Sequence, residues 1–146
     1  MPTIKTTIDI GGSPEMVWRV LTDFPSYPKW NPFIRGVQGK LEPGKRLTVR
    51  IRLPQGRVYI FSPRVLKAIP ATELRWRGKM WIEGLFDGEH AFIIVPNGIN
   101  GVRFIQREHF SGLLAPIMYP MIAEKTQKGI DLMNLALKKT VEAKSS

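Results

Sequence analysis

A chain of 146 residues with 43% apolar content is long enough for one domain that buries about 68–70% of its unfolded surface, which excludes wholesale disorder. Cysteine is absent, and this removes disulfides, thiolate metal sites and a cysteine nucleophile together. Lysine and arginine number 22 against 12 acids, a formal charge of +10, so anionic partners have to be weighed. No stretch approaches the length of an apolar membrane span, and the N-terminus lacks a signal-peptide core, which makes the cytoplasm the expected location.

In chain order, residues 3–10 alternate loosely with Ile4, Ile8 and Ile10 apolar, and they read as a strand that Gly11-Gly12 ends. Ser13 can cap a helix whose first residue is Pro14, where a missing N–H costs nothing. That short helix runs to about Leu21, with Val17 and Leu21 on one side. Pro25, Pro28 and Pro32 then forbid a long helix, so one turn is expected around 26–30. Strands follow at 34–40, 46–53, 57–68, 73–81, 89–95 and 102–110, with a bulge expected at Ser62-Pro63.

Residues 116–142 form an amphipathic helix. Its clearest part starts near Pro120 and spans roughly 36 Å at the usual rise. Ile122, Thr126, Gly129, Ile130, Met133, Leu137 and Val141 share its apolar face. Thr126 and Gly129 sit where bulky side chains belong in a filled core. Gly129 either leaves room or lets the helix approach a sheet closely. Pro116 and Pro120 predict irregular first turns, with a kink or a separate short turn.

The strand alternation sorts faces. Leu47, Val49, Ile51 and Leu53 oppose Arg46, Thr48, Arg50 and Arg52; Leu74, Trp76, Gly78 and Met80 oppose Glu73, Arg75, Arg77 and Lys79. In the last two strands, Phe104 and Phe110 share a face with Gln106 and Glu108, and Phe92 shares one with His90. If the aromatic residues face inward, three polar groups do so too, more than a dry core accepts.

The stretch Asp23-Phe24-Pro25-Ser26-Tyr27-Pro28-Lys29-Trp30-Asn31-Pro32-Phe33 resembles one found in the SRPBCC superfamily, the START and Bet v 1-like helix-grip proteins. Phe86-Asp87-Gly88-Glu89-His90-Ala91-Phe92, Arg107-Glu108-His109-Phe110-Ser111-Gly112 and the last helix around Met133-Asn134-Leu135 extend the likeness over nearly the whole chain. It is nearest to the bacterial polyketide cyclase/dehydrase-like members. The resemblance implies a single α+β domain over 1–146, the helix-grip fold. A curved antiparallel sheet would wrap around a long C-terminal helix, with two short helices after strand 1. It also implies an apolar cavity for a lipid- or polyketide-like molecule, and no cofactor.

Trp76, Met80, Phe92, Phe104 and Phe110 are the expected cavity wall on the sheet, with Met118, Ile122, Gly129 and Met133 from the helix. Trp30 and Phe33 would close one end. His90, Gln106 and Glu108 are the polar candidates. His90 and Glu108 either form a satisfied buried pair or act as acid and base on an enolisable ligand. The motifs place no catalytic residue. Histidines on different faces, with no paired-carboxylate spacing, argue against a metal site, and nucleotide loops are absent.

Three functions are therefore carried forward. The leading one is binding, by carriage or sensing, of a hydrophobic small molecule. The alternatives are a cyclase- or dehydratase-type enzyme using His90 and Glu108, and an interaction module using a basic sheet face. That face would carry Arg46, Arg50, Arg52, Arg75, Arg77 and Lys79 and would make weak contact with an anionic membrane. Nucleic acid is not an expected partner, for no exposed aromatic ladder accompanies these cations. The sequence leaves oligomeric state open.

Overall fold

The computed structural model describes residues 3–54, 56–80 and 84–145, with the side chains of Met80 and Ser145 outside the description. Strand β1 (Thr3–Gly11) leads to helix α1 (Pro14–Thr22). Ser13 Oγ accepts from the Met16 amide at 3.1 Å and Pro14 opens the helix, as the capping pattern predicts. A 3₁₀ turn (Phe24–Ser26) and the one-turn helix α2 (Tyr27–Trp30) follow. The strands are β2 (Ile34–Gln38), β3 (Thr48–Arg52), β4 (Val58–Phe61), β5 (Arg64–Ile69), β6 (Glu73–Met80), β7 (Phe86–Pro96) and β8 (Gly101–Ser111), before helix α3 (Ala115–Ser145).

Every strand pairing is antiparallel. The hydrogen bonds divide the wrapped sheet into a five-stranded piece, β1-β8-β7-β6-β5, and a three-stranded piece, β2-β3-β4. The division falls at Ser62-Pro63, where a bulge was expected. Pro63 has no N–H for a ladder, and its carbonyl accepts from the Leu47 amide at 2.9 Å instead. The chain thus leaves β4 in one piece and enters β5 in the other. A bridge between Arg46 and Arg64 still stitches the two together, and the Gly44 amide donates to the Val65 carbonyl at 2.8 Å beside it. The expected strand 57–68 is therefore two strands, and the last-but-one strand begins at Phe86 rather than Glu89. Gly84, with φ +93°, makes the bend. The expected end of β6 at Trp81 lies outside the described residues.

The face assignments hold. Leu47, Val49, Leu74, Trp76, Phe92, Ile94, Phe104 and Phe110 are buried, while Arg46, Thr48, Arg50 and Arg52 are exposed. Helix α3 lies along β1 and the inner side of β7 and β8, with Ile130, Met133, Leu137 and Val141 fully buried. It runs through Pro120 without the separate short turn expected there. Pro120 falls near the helix start, so the N–H it lacks leaves only the Pro116 carbonyl without a helical donor.

Gly129 answers the question its position raised. A Cβ built there would sit 2.2 Å from Cδ1 and 2.4 Å from Cε1 of Phe33. The gap in the helix face is filled by an aromatic ring, so Gly129 serves close packing and not cavity volume. Phe33 is held from below. The buried Asn31 Oδ1 accepts from the amides of Phe33 (3.0 Å) and Ile34 (2.9 Å), and Arg35 donates to the carbonyl of Asn31 at 2.7 Å. Tyr27, wholly buried beneath this turn, donates its hydroxyl to the Leu21 carbonyl, and burial pushes its pKa far up.

The far end of α3 is tied to β1. Glu142 accepts from the Gly11 amide at 2.9 Å and from Lys138 at 2.6 Å, and Lys138 also donates to the Asp9 carbonyl at 2.8 Å. The Gly11 amide, then Lys138, hold the Glu142 carboxyl below its usual 4.5.

Two predictions follow from these contacts. Gly129→Ala should destabilise the fold: overpacking of about 1–3 kcal/mol outweighs the gain in helix propensity of about 1 kcal/mol. Denaturant unfolding of Gly129→Ala with and without Phe33→Leu should show strong coupling, the smaller side chain relieving the clash; additive losses would contradict the contact. For Glu142, a folded pKa below the unfolded one adds stability that is present above pH 4.5 and lost as pH falls through the folded value. Wild type should therefore exceed Glu142→Gln in melting temperature near neutrality and converge with it in acid.

Candidate functional site

Between the two sheet pieces and the first half of α3 lies an open-sided cavity of about 450 Å³. The five-stranded piece contributes Trp76, Gly78, Phe86, Gly88, Glu108 and Phe110; the other contributes Ile51, Leu53, Tyr59, Ile60 and Phe61. Phe33, Ile122 and Thr126 complete the wall, with Arg46, Ser62 and Lys79 at the side where β4 leaves β6. Phe86 and Phe110 stack with centroids 5.4 Å apart and planes 8° apart. A largely apolar surface with few polar groups is what a small-molecule pocket requires.

Of the residues expected at the site, Phe33, Trp76, Glu108, Phe110 and Ile122 border the cavity. Trp30 does not: its ring packs edge-on against Tyr27, 5.2 Å between centroids. Phe92, Phe104 and Met133 are fully buried core rather than wall, because α3 is drawn down onto the sheet in this half of the molecule. Met118 packs on the core from the edge, Gly129 faces Phe33, and the side chain of Met80 lies outside the described residues. Unforeseen were Tyr59 and Phe61, although their register against Ile51 and Val49 puts them on the inner face. Strand alternation carried past the Pro54-containing turn is the signal that finds them.

His90, Gln106 and Glu108 do face inward, and they form an ordered line with two further residues. His90 Nε2 lies 2.8 Å from Gln106 Oε1; Gln106 Nε2 donates to Asn134 Oδ1 at 2.8 Å; Asn134 Nδ2 donates to Thr6 Oγ1 at 2.8 Å. All four residues are buried. Since Gln106 Oε1 can only accept, His90 Nε2 carries the proton. Nδ1 of a neutral imidazole is then a lone pair, and it faces Glu108 Oε1 at 3.6 Å, too long for a direct hydrogen bond. The Phe92 ring stacks on the imidazole, 4.2 Å between centroids.

Asn134 and Thr6 were not foreseen. Asn134 stands four residues after Ile130 and three before Leu137, so helical spacing alone puts it on the buried face.

Glu108 is the polar group this line presents to the cavity. Gly88 on the neighbouring strand lies beside its carboxyl, where a Cβ would make an ordinary contact with Oε1 at 3.5 Å. Oε2 is buried and has no hydrogen-bond partner among the described residues. A buried carboxyl oxygen without a partner is costly. The Glu108 side chain borders the cavity, and an ionised carboxylate there accepts from a ligand hydroxyl or amide N–H.

Among the described residues no group of His, Asp and Glu could hold a metal ion, and no helix is long and apolar enough to cross a membrane. Of the six cations expected on the basic sheet face, Arg75 and Arg77 are ion-paired. Arg75 bonds to Glu73 (2.6 Å) and Glu89 (2.7 Å), Arg77 to Asp87 (3.0 Å), and Arg103 to Asp9 (3.0 Å). Hydrogen bonds to Glu89 and then Glu73 raise the Arg75 pKa further.

The wrapped antiparallel sheet, the gripped helix and the apolar cavity between them define a helix-grip protein. Residues 1–142 match the family described as polyketide cyclase/dehydrase and lipid transport, and the chain belongs to it. No curated protein matches the sequence closely enough to count as a relative. Among solved structures, the chain is similar to a START superfamily protein from Mycobacterium smegmatis, with 22% identity, 97% of each chain covered and a TM-score of 0.76. It is also similar to the ZhuI aromatase/cyclase from a Streptomyces species, with 12% identity, coverage of 99% and 96%, and a TM-score of 0.80. A norcoclaurine synthase mutant from Thalictrum flavum, in complex with a transition-state analogue, gives 14% identity, coverage of 99% and 96%, and a TM-score of 0.75. At these identities the likeness is one of fold.

The polar line makes a prediction of its own. Nitrogen NMR of the neutral imidazole should show His90 protonated at Nε2. Gln106→Leu should remove that preference and destabilise the fold by about 1–3 kcal/mol, since it strands both His90 and Asn134. An Nδ1-protonated ring in the wild type would contradict the assigned line.

Proposed function

We propose that the protein binds a hydrophobic small molecule, lipid- or polyketide-like, in the 450 Å³ cavity, with Glu108 orienting it. The observation that carries this reading is the cavity itself, a largely apolar wall on which the Glu108 side chain is one of a few polar groups. Burial of the ligand's apolar surface supplies affinity at about 25 cal/mol per Å² before ordering costs, and the carboxyl selects ligands with a polar group at one position. The family description, which joins polyketide chemistry to lipid transport, supports this ligand class without choosing between carriage and catalysis.

A second reading is favoured by the fixed tautomer of His90. With Nε2–H committed to Gln106, the Nδ1 lone pair can exchange a proton with the Glu108 carboxyl after a small side-chain movement. The pair could then abstract and return a proton on an enolisable ligand, as a cyclase or dehydratase requires.

Titration with a neutral apolar fluorophore, read through Trp76 at the cavity wall, tests the first reading. Saturable binding at one site is expected, and Thr126→Trp, which fills the cavity, should weaken it at least about tenfold without lowering the melting temperature. Unchanged affinity in that variant would place the ligand elsewhere. For catalysis, Glu108→Gln should abolish turnover of a candidate polyketide while leaving its binding largely intact; normal turnover in both Glu108→Gln and His90→Gln would end the enzymatic reading.

A further inference from the structure

A second hollow of about 320 Å³ adjoins the cavity on the outer side of the β4–β6 gap. It is lined by Arg46, Arg64, Arg77 and Lys79 against a single acid, Asp87. Arg46, Ser62, Gly78 and Lys79 border both spaces, so the apolar cavity and the basic cleft are neighbours across these residues.

The cations there are held together against their own repulsion. Arg46 stands opposite Arg64 in the isolated bridge, and Arg64 stands opposite Arg77 in the β5–β6 register. Directly opposed residues on antiparallel strands share a face, and like charges so placed destabilise a sheet. Arg77 is compensated: Asp87 Oδ2 takes its guanidinium at 3.0 Å, and the Asp87 carboxylate also accepts from the Gly84 amide at 3.2 and 3.1 Å. Asp87 is 3% exposed, and although it stands opposite Lys79 in the β6–β7 register, its bonds go to Arg77 and Gly84.

Arg46, Arg64 and Lys79 make no ion pair with an acid among the described residues. Arg46 donates to the Ser62 carbonyl at 3.1 Å and Arg64 to the Gly44 carbonyl at 3.2 Å. Each bond uses one of five guanidinium donors and leaves the others for a further acceptor. An anion is what such a cluster lacks.

We infer that Arg46, Arg64 and Lys79 form an anion site at the cavity mouth, which takes the carboxylate or phosphate head of an amphiphile whose apolar body lies inside. This rests on the cavity-binding reading and narrows its ligand to an anionic one. Charge-assisted bonds from guanidiniums favour both heads. The rim is wet, so the preference must weaken with salt.

Calorimetric titration of the whole protein with decanoate, decyl phosphate, decanol and inorganic phosphate tests the inference. Decanoate or decyl phosphate should bind about tenfold tighter than decanol at low salt, with the margin shrinking as salt rises. The tighter of the two identifies the head. Lys79→Gln, at an exposed side chain, and Arg64→Gln should each cut affinity for the anionic amphiphiles about fivefold and leave decanol unchanged. Equal binding of decanol and both anions would overturn the anion site while the cavity reading stands. Binding of none of the alkyl compounds would overturn both. Inorganic phosphate bound as tightly as decyl phosphate would make the cleft a free-anion site unconnected with the cavity, and so would also overturn the inference.

Discussion

The contact on which the architecture turns is the ring of Phe33 seated against the bare backbone of Gly129. It sets how close the helix comes to the strand segment that crosses it. Asn31 prepares the ring. Its side chain bonds the amides of Phe33 and Ile34, and Pro32 restricts Asn31 to the extended backbone it shows, φ −89° and ψ 111°. The Trp30-Asn31-Pro32-Phe33 stretch therefore has a mechanical meaning: it turns the chain out of α2 and delivers an aromatic ring to the helix. On one side of that contact, Ile130, Met133 and Leu137 close down on the sheet with no exposure. On the other, Ile122 and Thr126 stand off and border open space. One wedge thus divides the helix into an anchoring half and a pocket half.

The polar line from Thr6 to Glu108 crosses the anchoring half. Burying two amides and an imidazole is expensive unless each finds a partner, and here the three bonds from His90 to Thr6 are each 2.8 Å, while Glu108 stands 3.6 Å from the imidazole. An apolar replacement of the whole set would cost the fold little in principle. What the line adds is position. It fixes the ring of His90, and the ring stands behind Glu108 at the edge of the cavity. A network of this kind is sensitive to any single loss, which ties helix, first strand and last strand to the geometry of one carboxyl.

The outline of the fold was legible because alternation and helical periodicity report which side chains leave water, and they did so for β3, β6, β7, β8 and α3. The polar trio was legible for the same reason. Distances were not. Periodicity puts Phe92, Phe104 and Met133 on inner faces but cannot say that α3 lies directly upon them, whereas Phe110 and Ile122 are held apart. That distinction depends on the Phe33–Gly129 wedge, a contact between residues almost a hundred positions apart. Ser62-Pro63 misled for a related reason. A proline in a strand pattern signals a lost ladder bond, and a bulge and a change of sheet both satisfy it. Only the partner chosen by Leu47 decides between them.

Charge gives the cavity a direction. Glu108 lies on its inner wall, and the cations Arg46 and Lys79 lie where it opens between β4 and β6. In its ionised form Glu108 repels an anionic head, while the mouth attracts one. For the amphiphile proposed above, both effects favour the tail inside and the head at the mouth, which would bring a hydroxyl along its length to the carboxyl. The same placement serves a carrier, which needs a defined bound pose, and a catalyst, which needs one carbon held beside a base. The basic excess, read from composition alone as a general attraction to anions, is better understood locally. Where acids are in reach it is neutralised, as at Arg75, Arg77 and Arg103. Where the sheet parts, Arg46, Arg64 and Lys79 are among the cations without an ion pair to an acid of the described residues.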